Sequence, residues 1–116
     1  MHETAIARDI IAIVSETLQD HPKTRIKTVR VSIGQTIAVV PDLLQHAYQS
    51  LILDTPLQQS TLELAIIPIS ATCHACNTTF GLDEFEFLCP SCGSANIEVK
   101  TGDEFFIKEL EVEPCP

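Results

Sequence analysis

Residues 73–93 read CHACNTTFGLDEFEFLCPSCG: two residues separate Cys73 from Cys76, two separate Cys89 from Cys92, and twelve divide the pairs. Cysteines at that spacing turn both sulfurs toward one point through a tight knuckle, and two facing knuckles present the four thiolates that zinc accepts in a tetrahedral array. Gly93, just past Cys92, supplies permissive backbone where the second knuckle ends. The apolar stock of the stretch and its flank is Phe80, Phe85, Phe87, Leu88, Ile97 and Val99. That is too little for a metal-free core, because units below about 40 residues ordinarily need a metal, a disulfide or a partner. Metal binding and folding of this module are therefore expected to be one event. With all four positions filled by sulfur, the site is expected to be structural. Two other readings share the pattern: a pair of disulfides, which a reducing compartment opposes, and a rubredoxin-like iron centre with a similar ligand set. A redox Cys-x-x-Cys is disfavoured, since neither pair sits at a thioredoxin-type strand-to-helix junction. His74, inside the first knuckle, reads as solvent-facing, and Cys115, in a proline-flanked tail, as a free surface thiol.

Outward from the module the periodicities are those of an ordinary α/β core. Over residues 4–19, Ile6, Ala7, Ile10, Ile13 and Val14 recur at helical spacing while Arg8, Asp9, Glu16 and Gln19 take the other side, and His21-Pro22 ends the helix. From Arg25 to Gly34 the period drops to two, with Val29, Val31 and Ile33 against Thr28, Arg30 and Ser32, which reads as a half-buried strand. Pro41 opens a second helix with Leu44, Ala47, Tyr48 and Leu51 on its apolar stripe. A second strand is expected over 61–69, ending near Pro68, and a third over 104–113. The fold class is α+β, with two helices on a three-stranded mixed sheet and an inserted four-cysteine zinc-ribbon module. The expected division is 1–69 plus 103–116 for the α/β domain and 70–102 for the zinc-binding domain.

The 116 residues carry 16 acidic and 7 basic side chains, for a net charge of −9, and are 45% hydrophobic. Residues 1–30 hold five bases and four acids, which leaves two bases and twelve acids for 31–116. Such a surface repels phosphate backbones and suits cations or basic protein partners. No apolar run is long enough to cross a bilayer and the first residues lack a basic signal segment, so the chain is expected to be cytoplasmic and away from membranes. No nucleophile with a base, phosphate loop or open zinc position is evident, which argues against an enzyme.

The first residues, Met1-His2-Glu3, form a second candidate metal site. Methionine is expected to be retained before histidine. The terminal amine, the backbone nitrogen of His2 and its imidazole are then joined by short chelate rings, in a planar nitrogen set that favours Ni(II) or Cu(II). Glu3 could add a carboxylate. Asp42, in the first turn of the second helix, is the remote candidate, with His46 four residues on along the same face. Asp42 also reads simply as a carboxylate favoured by the helix dipole, and His21 and His46 as solvated side chains.

Taken together, Met1-His2-Glu3, the strand ending at Gly34 followed by Pro41-Asp42-Leu43-Leu44, the paired Cys-x2-Cys module and the final Glu109-Leu110-Glu111-Val112-Glu113 resemble the hydrogenase maturation factor HypA/HybF family. These are nickel metallochaperones. The resemblance implies that His2 is the essential nickel ligand, that Glu3 assists, that Cys73, Cys76, Cys89 and Cys92 hold zinc, and that an acidic residue at Asp42 completes the nickel shell in some members. It implies a non-enzymatic carrier working with the GTPase HypB on the nickel-iron hydrogenase large subunit, with urease as a further client in some members. Separately, a monomer is the simpler expectation, with a homodimer open through strand exchange of the module tethered at both ends. A zinc-ribbon adaptor without nickel delivery and a rubredoxin-like electron carrier are the competing functions.

Overall fold

The computed structural model describes residues 2–82 and 87–115. The elements are α1 (His2–Gln19), β1 (Thr24–Gly34), a 3-10 turn (Gln35–Ile37), α2 (Pro41–Leu51), β2 (Thr61–Ile67), β3 (Ser70–Cys73), β4 (Thr79–Gly81), β5 (Ile97–Thr101) and β6 (Phe105–Pro114). They form two compact units, one of residues 1–31, 39–65 and 106–116, the other of residues 32–38 and 66–105. Two helices accompany a mixed three-stranded sheet of order β2-β1-β6, and a second three-stranded sheet of order β4-β3-β5 carries the cysteines. No helix among the described residues is long and apolar enough to cross a membrane.

In the first unit the helical stripe of α1 is buried at Ile6, Ala7, Ile10 and Val14, and that of α2 at Leu44 and Tyr48. Ile13, which the spacing assigns to the apolar stripe, is half exposed. α2 starts as its sequence dictates: Val40 is extended, with φ −92° and ψ 110°, and Pro41 follows as the first helical residue, where its missing N–H costs nothing. β1 is the middle strand, and that position changes the reading of its polar face. Thr28 and Ser32 are buried rather than solvated. Arg30 reaches across both neighbours, with Nε 2.6 Å from Glu63 of β2 and its two terminal nitrogens 3.2 Å from Glu109 and Glu111 of β6. A guanidinium with five donors is suited to serve three carboxylates in this way.

The expected second strand, 61–69 with its end near Pro68, is found as β2, Thr61–Ile67. β2 stops at Ile67 before Pro68, which has no N–H for a ladder, and β3 begins at Ser70 in the other sheet. β3 pairs antiparallel with β4 (Ala71 opposite Phe80) and with β5 (Ala71 opposite Val99, Cys73 opposite Ile97). The core of this unit is Ile69, Ala71 and Leu82, with Phe80 and Ile97 packed on it. Phe87, Leu88 and Val99, counted above among the module's apolar stock, are exposed instead, and Phe85 lies outside the described residues.

The second unit is built on a close backbone approach at Gly34. A Cβ placed there would lie 2.2 Å from the carbonyl carbon and oxygen of Gly102, so only glycine fits. Hydrogen bonds close the same junction: Gly34 N–H donates to Glu104 O, the Thr36 N–H and hydroxyl both donate to Gly102 O, and Gln35 Oε1 accepts from Ile69 N–H.

Candidate metal centres

The four cysteines are brought together by two knuckles of the same construction. In the first, Asn77 N–H donates to Cys73 O at 2.8 Å and Cys73 N–H to Thr78 O at 2.9 Å. In the second, Gly93 N–H donates to Cys89 O at 2.8 Å and Cys89 N–H to Ser94 O at 2.9 Å. The residue that turns each chain is left-handed, Asn77 at φ 62° and Gly93 at φ 74°. Asparagine is the commonest side chain to tolerate that region, so Asn77 is the counterpart of Gly93. Sequence reasoning picked out Gly93 and passed over Asn77. The repeated order Cys-x-x-Cys, then Asn or Gly, then Thr or Ser, was the signal available.

The resulting geometry fits a tetrahedral ion. Cys73 Sγ is 3.6 Å from Cys92 Sγ, Cys76 Sγ is 3.7 Å from Cys89 Sγ, and all four sulfurs lie within 4.8 Å of one another. A disulfide would bring a pair to about 2.05 Å, and all five cysteines are free. Zinc–sulfur bonds of about 2.3 Å set tetrahedral edges near 3.8 Å, which matches the observed separations. Cys73 and Cys89 are buried, Cys76 and Cys92 exposed.

The electrostatics of the cluster ask for a cation. The Thr78 hydroxyl, 3.2 Å from Cys76 Sγ, and the Thr78 amide hold the Cys76 thiol down to about 6. At Cys92 the Ser94 amide pulls the thiol down, but the crowding sulfurs of Cys73, Cys89 and Cys76, together with burial, push it up to about 12. Four thiolates this close repel one another, and a divalent ion reverses that, since a coordinating thiol is deprotonated outright. His74 is exposed, 3.6 Å from Glu98, and outside the sulfur cluster. Cys115 is exposed, with its N–H held by Lys23 O at 2.8 Å.

At the other end of the chain, His2 is the first residue of α1, exposed, while Glu3 beside it is only 5% exposed. Glu3 Oε2 accepts the Val40 N–H at 3.0 Å and lies 3.6 Å from His2 Nε2. The terminal ammonium, then the Val40 amide and its own amide, hold the Glu3 carboxyl down to about 2. Glu3 thus ties the start of α1 to the start of α2. Met1 lies outside the described residues. Asp42 is exposed in the first turn of α2, and His46 is exposed in the same helix. Among the described residues, the four cysteines are the one group of three or more His, Cys, Asp or Glu side chains with ligand atoms close enough to share an ion. Asp42 therefore does not join His2 and Glu3 in a preformed cluster.

A family model described as hydrogenase/urease nickel incorporation, metallochaperone, HypA matches residues 1–112. The chain is 35% identical over 112 residues to a hydrogenase maturation factor HypA of Rhizobium leguminosarum bv. viciae, covering 97% of this chain and 99% of that one. It is 36% identical over 113 residues to one from Nostoc sp., covering 97% and 96%. Two solution structures share its fold. One is of a HypA protein, with TM-score 0.69, 23% identity and coverage of 96% and 95%. The other is of the nickel metallochaperone HypA from Helicobacter pylori, with TM-score 0.66, 23% identity and coverage of 96% and 97%. From a family match over almost its full length and relatives above 30% identity, the chain belongs to the HypA family, whose members are hydrogenase/urease nickel-incorporation metallochaperones.

Proposed function

We propose that this protein is a non-enzymatic nickel carrier that grasps Ni(II) at its amino terminus and releases it during maturation of nickel-iron hydrogenase. The observation that carries this reading is the start of α1, where an exposed His2 stands next to a buried carboxylate fixed by the second helix. The first N–H groups of a helix have no partner within it. The His2 amide can therefore lose its proton to a metal without breaking a helical hydrogen bond. The Met1 amine, the His2 amide nitrogen and the His2 imidazole are the proposed donors, with Glu3 assisting. Asp42, two residues beyond the Val40 amide, is the carboxylate best placed along the chain to complete the shell. A chelate at a helix terminus can be dismantled one ligand at a time, which suits cargo.

Zinc is the proposed resident metal, held by Cys73, Cys76, Cys89 and Cys92, and it supplies shape rather than reactivity because a closed tetrathiolate leaves no open position. Nickel and zinc then separate by donor type, nitrogen against sulfur. The proposed division of labour gives nickel to 1–69 plus 103–116 and zinc to 70–102. By family, the partners are the GTPase HypB and the hydrogenase large subunit, in the cytoplasm, where thiols stay reduced.

Calorimetric nickel titration of the untagged chain tests this, against His2→Ala and against a version extended by a few residues before Met1. Both variants are expected to lose the tight site. Parent-like binding by both would refute the terminal chelate.

A further inference from the structure

His2 has two ring nitrogens, and they are not equivalent for a chelate that also uses its backbone nitrogen. Nδ1 lies on the main-chain side of the ring and closes the smaller, unstrained chelate, whereas Nε2 points away. A neutral imidazole carries one proton, and the nitrogen that carries it cannot bind a metal. The partner of the far nitrogen therefore decides which one is presented.

In this structure the far nitrogen faces a carboxylate just beyond hydrogen-bond distance. His2 Nε2 faces Glu3 Oε2 at 3.6 Å, and the same oxygen accepts the Val40 N–H at 3.0 Å. Val40 immediately precedes the first helical residue of α2, so a second element fixes the carboxylate, and burial of Glu3 to 5% exposure restricts it further. We infer that Glu3 is a positioning residue that keeps the proton on His2 Nε2, presents Nδ1 to nickel and itself stays outside the ligand shell. This rests on the terminal nickel site proposed above and narrows the part Glu3 plays in it.

At 3.6 Å the contact is electrostatic, longer than a hydrogen bond. The His2 side chain is 51% exposed and has room to close the gap. Metal on Nδ1 makes Nε2–H a stronger donor, and metal-binding histidines ordinarily give their other N–H to a carboxylate or carbonyl. To enter the nickel shell through Oε2, the carboxylate would have to leave both the Val40 amide and the imidazole.

The test compares parent, Glu3→Gln and Glu3→Ala, all untagged and zinc-loaded, by nickel calorimetry, the visible absorption of bound Ni(II) and 15N NMR of the metal-free imidazole. Loss of such an outer partner ordinarily weakens metal binding about 10- to 100-fold. That loss is expected for alanine, with a smaller one for glutamine, whose carbonyl still accepts both N–H groups. The absorption bands should be unchanged in both, and the Nδ1–H form of His2 should rise in the alanine chain. Altered bands in either variant, affinity within about twofold of parent in the alanine chain, or an unmoved tautomer would overturn the inference. If Glu3→Ala does not fold, Glu3→Gln decides: weaker binding with parent bands supports the role, altered bands or parent affinity refute it. Failure of the underlying site shows differently, as parent-like nickel binding by His2→Ala.

Discussion

Gly34→Ala should destabilise the cysteine-bearing unit sharply, against the usual sign of such a change. Gly34 sits at φ −68° and ψ 146°, extended backbone open to any residue. Where the backbone is compatible, alanine for glycine stabilises by about 0.4–1 kcal/mol through the unfolded chain. Here the new Cβ meets Gly102 C and O at 2.2 Å and Asp103 N at 2.5 Å, all backbone atoms. Ordinary carbon contacts are about 3.5–4 Å, so the two segments must part by more than about 1 Å. That separation takes with it Gly34 N–H to Glu104 O at 2.6 Å and the paired donation from Thr36 to Gly102 O at 2.8 and 2.7 Å. Overpacking costs about 1–3 kcal/mol and each lost hydrogen bond about 0.5–1.5, for a net loss of about 3–5 kcal/mol. With a urea slope of about 1–3 kcal/mol per molar, the midpoint should fall by at least about 1 M. Zinc release to a chromogenic chelator, read during urea unfolding, reports on this unit. Gly81→Ala is the control, because its Cβ would meet only Ile69 O, at 3.8 Å. A Gly34→Ala midpoint equal to or above the parent's would refute the packing argument.

Three further outcomes follow from the same geometry. With metal bound, iodoacetamide should modify Cys115 alone, since the other four thiols are engaged, and all five should react after chelation and denaturation; mass spectrometry counts the adducts, and ready alkylation of Cys76 or Cys92 in the loaded protein would contradict a tetrathiolate. Asn77→Gly should leave the first knuckle intact while Asn77→Val costs about 1–2 kcal/mol at φ 62°, read as easier zinc loss; equal behaviour of the two would show that left-handed backbone is not what the site needs. Glu3, at about 2, and Glu104 and Glu111, lowered by the Gly102 amide and by the Thr28 hydroxyl with Lys27 and Arg30, all titrate below their unfolded value of about 4.3. The folded state then binds fewer protons, so this stabilisation is complete above about pH 4.5 and is lost as pH falls toward 2. Urea unfolding across that window should show the decline, less steep in Glu111→Gln; identical slopes in parent and variant would contradict it.

Local rules made the elements legible, and the tertiary setting hid the rest. The helical spacing of Ile6, Ile10 and Val14 and the proline at the start of α2 foretell buried stripes that the structure contains. The polar face of β1 misleads, because a period of two cannot say whether a strand is central; Thr28 and Ser32 are buried and Arg30 is ringed by glutamates only because β2 and β6 flank it on both sides. Gly34 marks a strand end in the sequence, but its contact with Gly102 joins residues far apart in the chain and no local pattern announces it. The four sulfurs were readable from spacing alone. The clamp from Val40 to Glu3 was not, since a backbone N–H leaves no trace in residue identity.

Nickel X-ray absorption on the untagged chain, loaded first with zinc and then with one equivalent of Ni(II), addresses the central claim most directly. The expected nickel spectrum is fitted by nitrogen and oxygen neighbours with imidazole scattering, abolished by His2→Ala, beside a zinc edge that keeps four sulfur neighbours. Sulfur in the nickel shell, with His2→Ala giving the same spectrum as the parent, would contradict it.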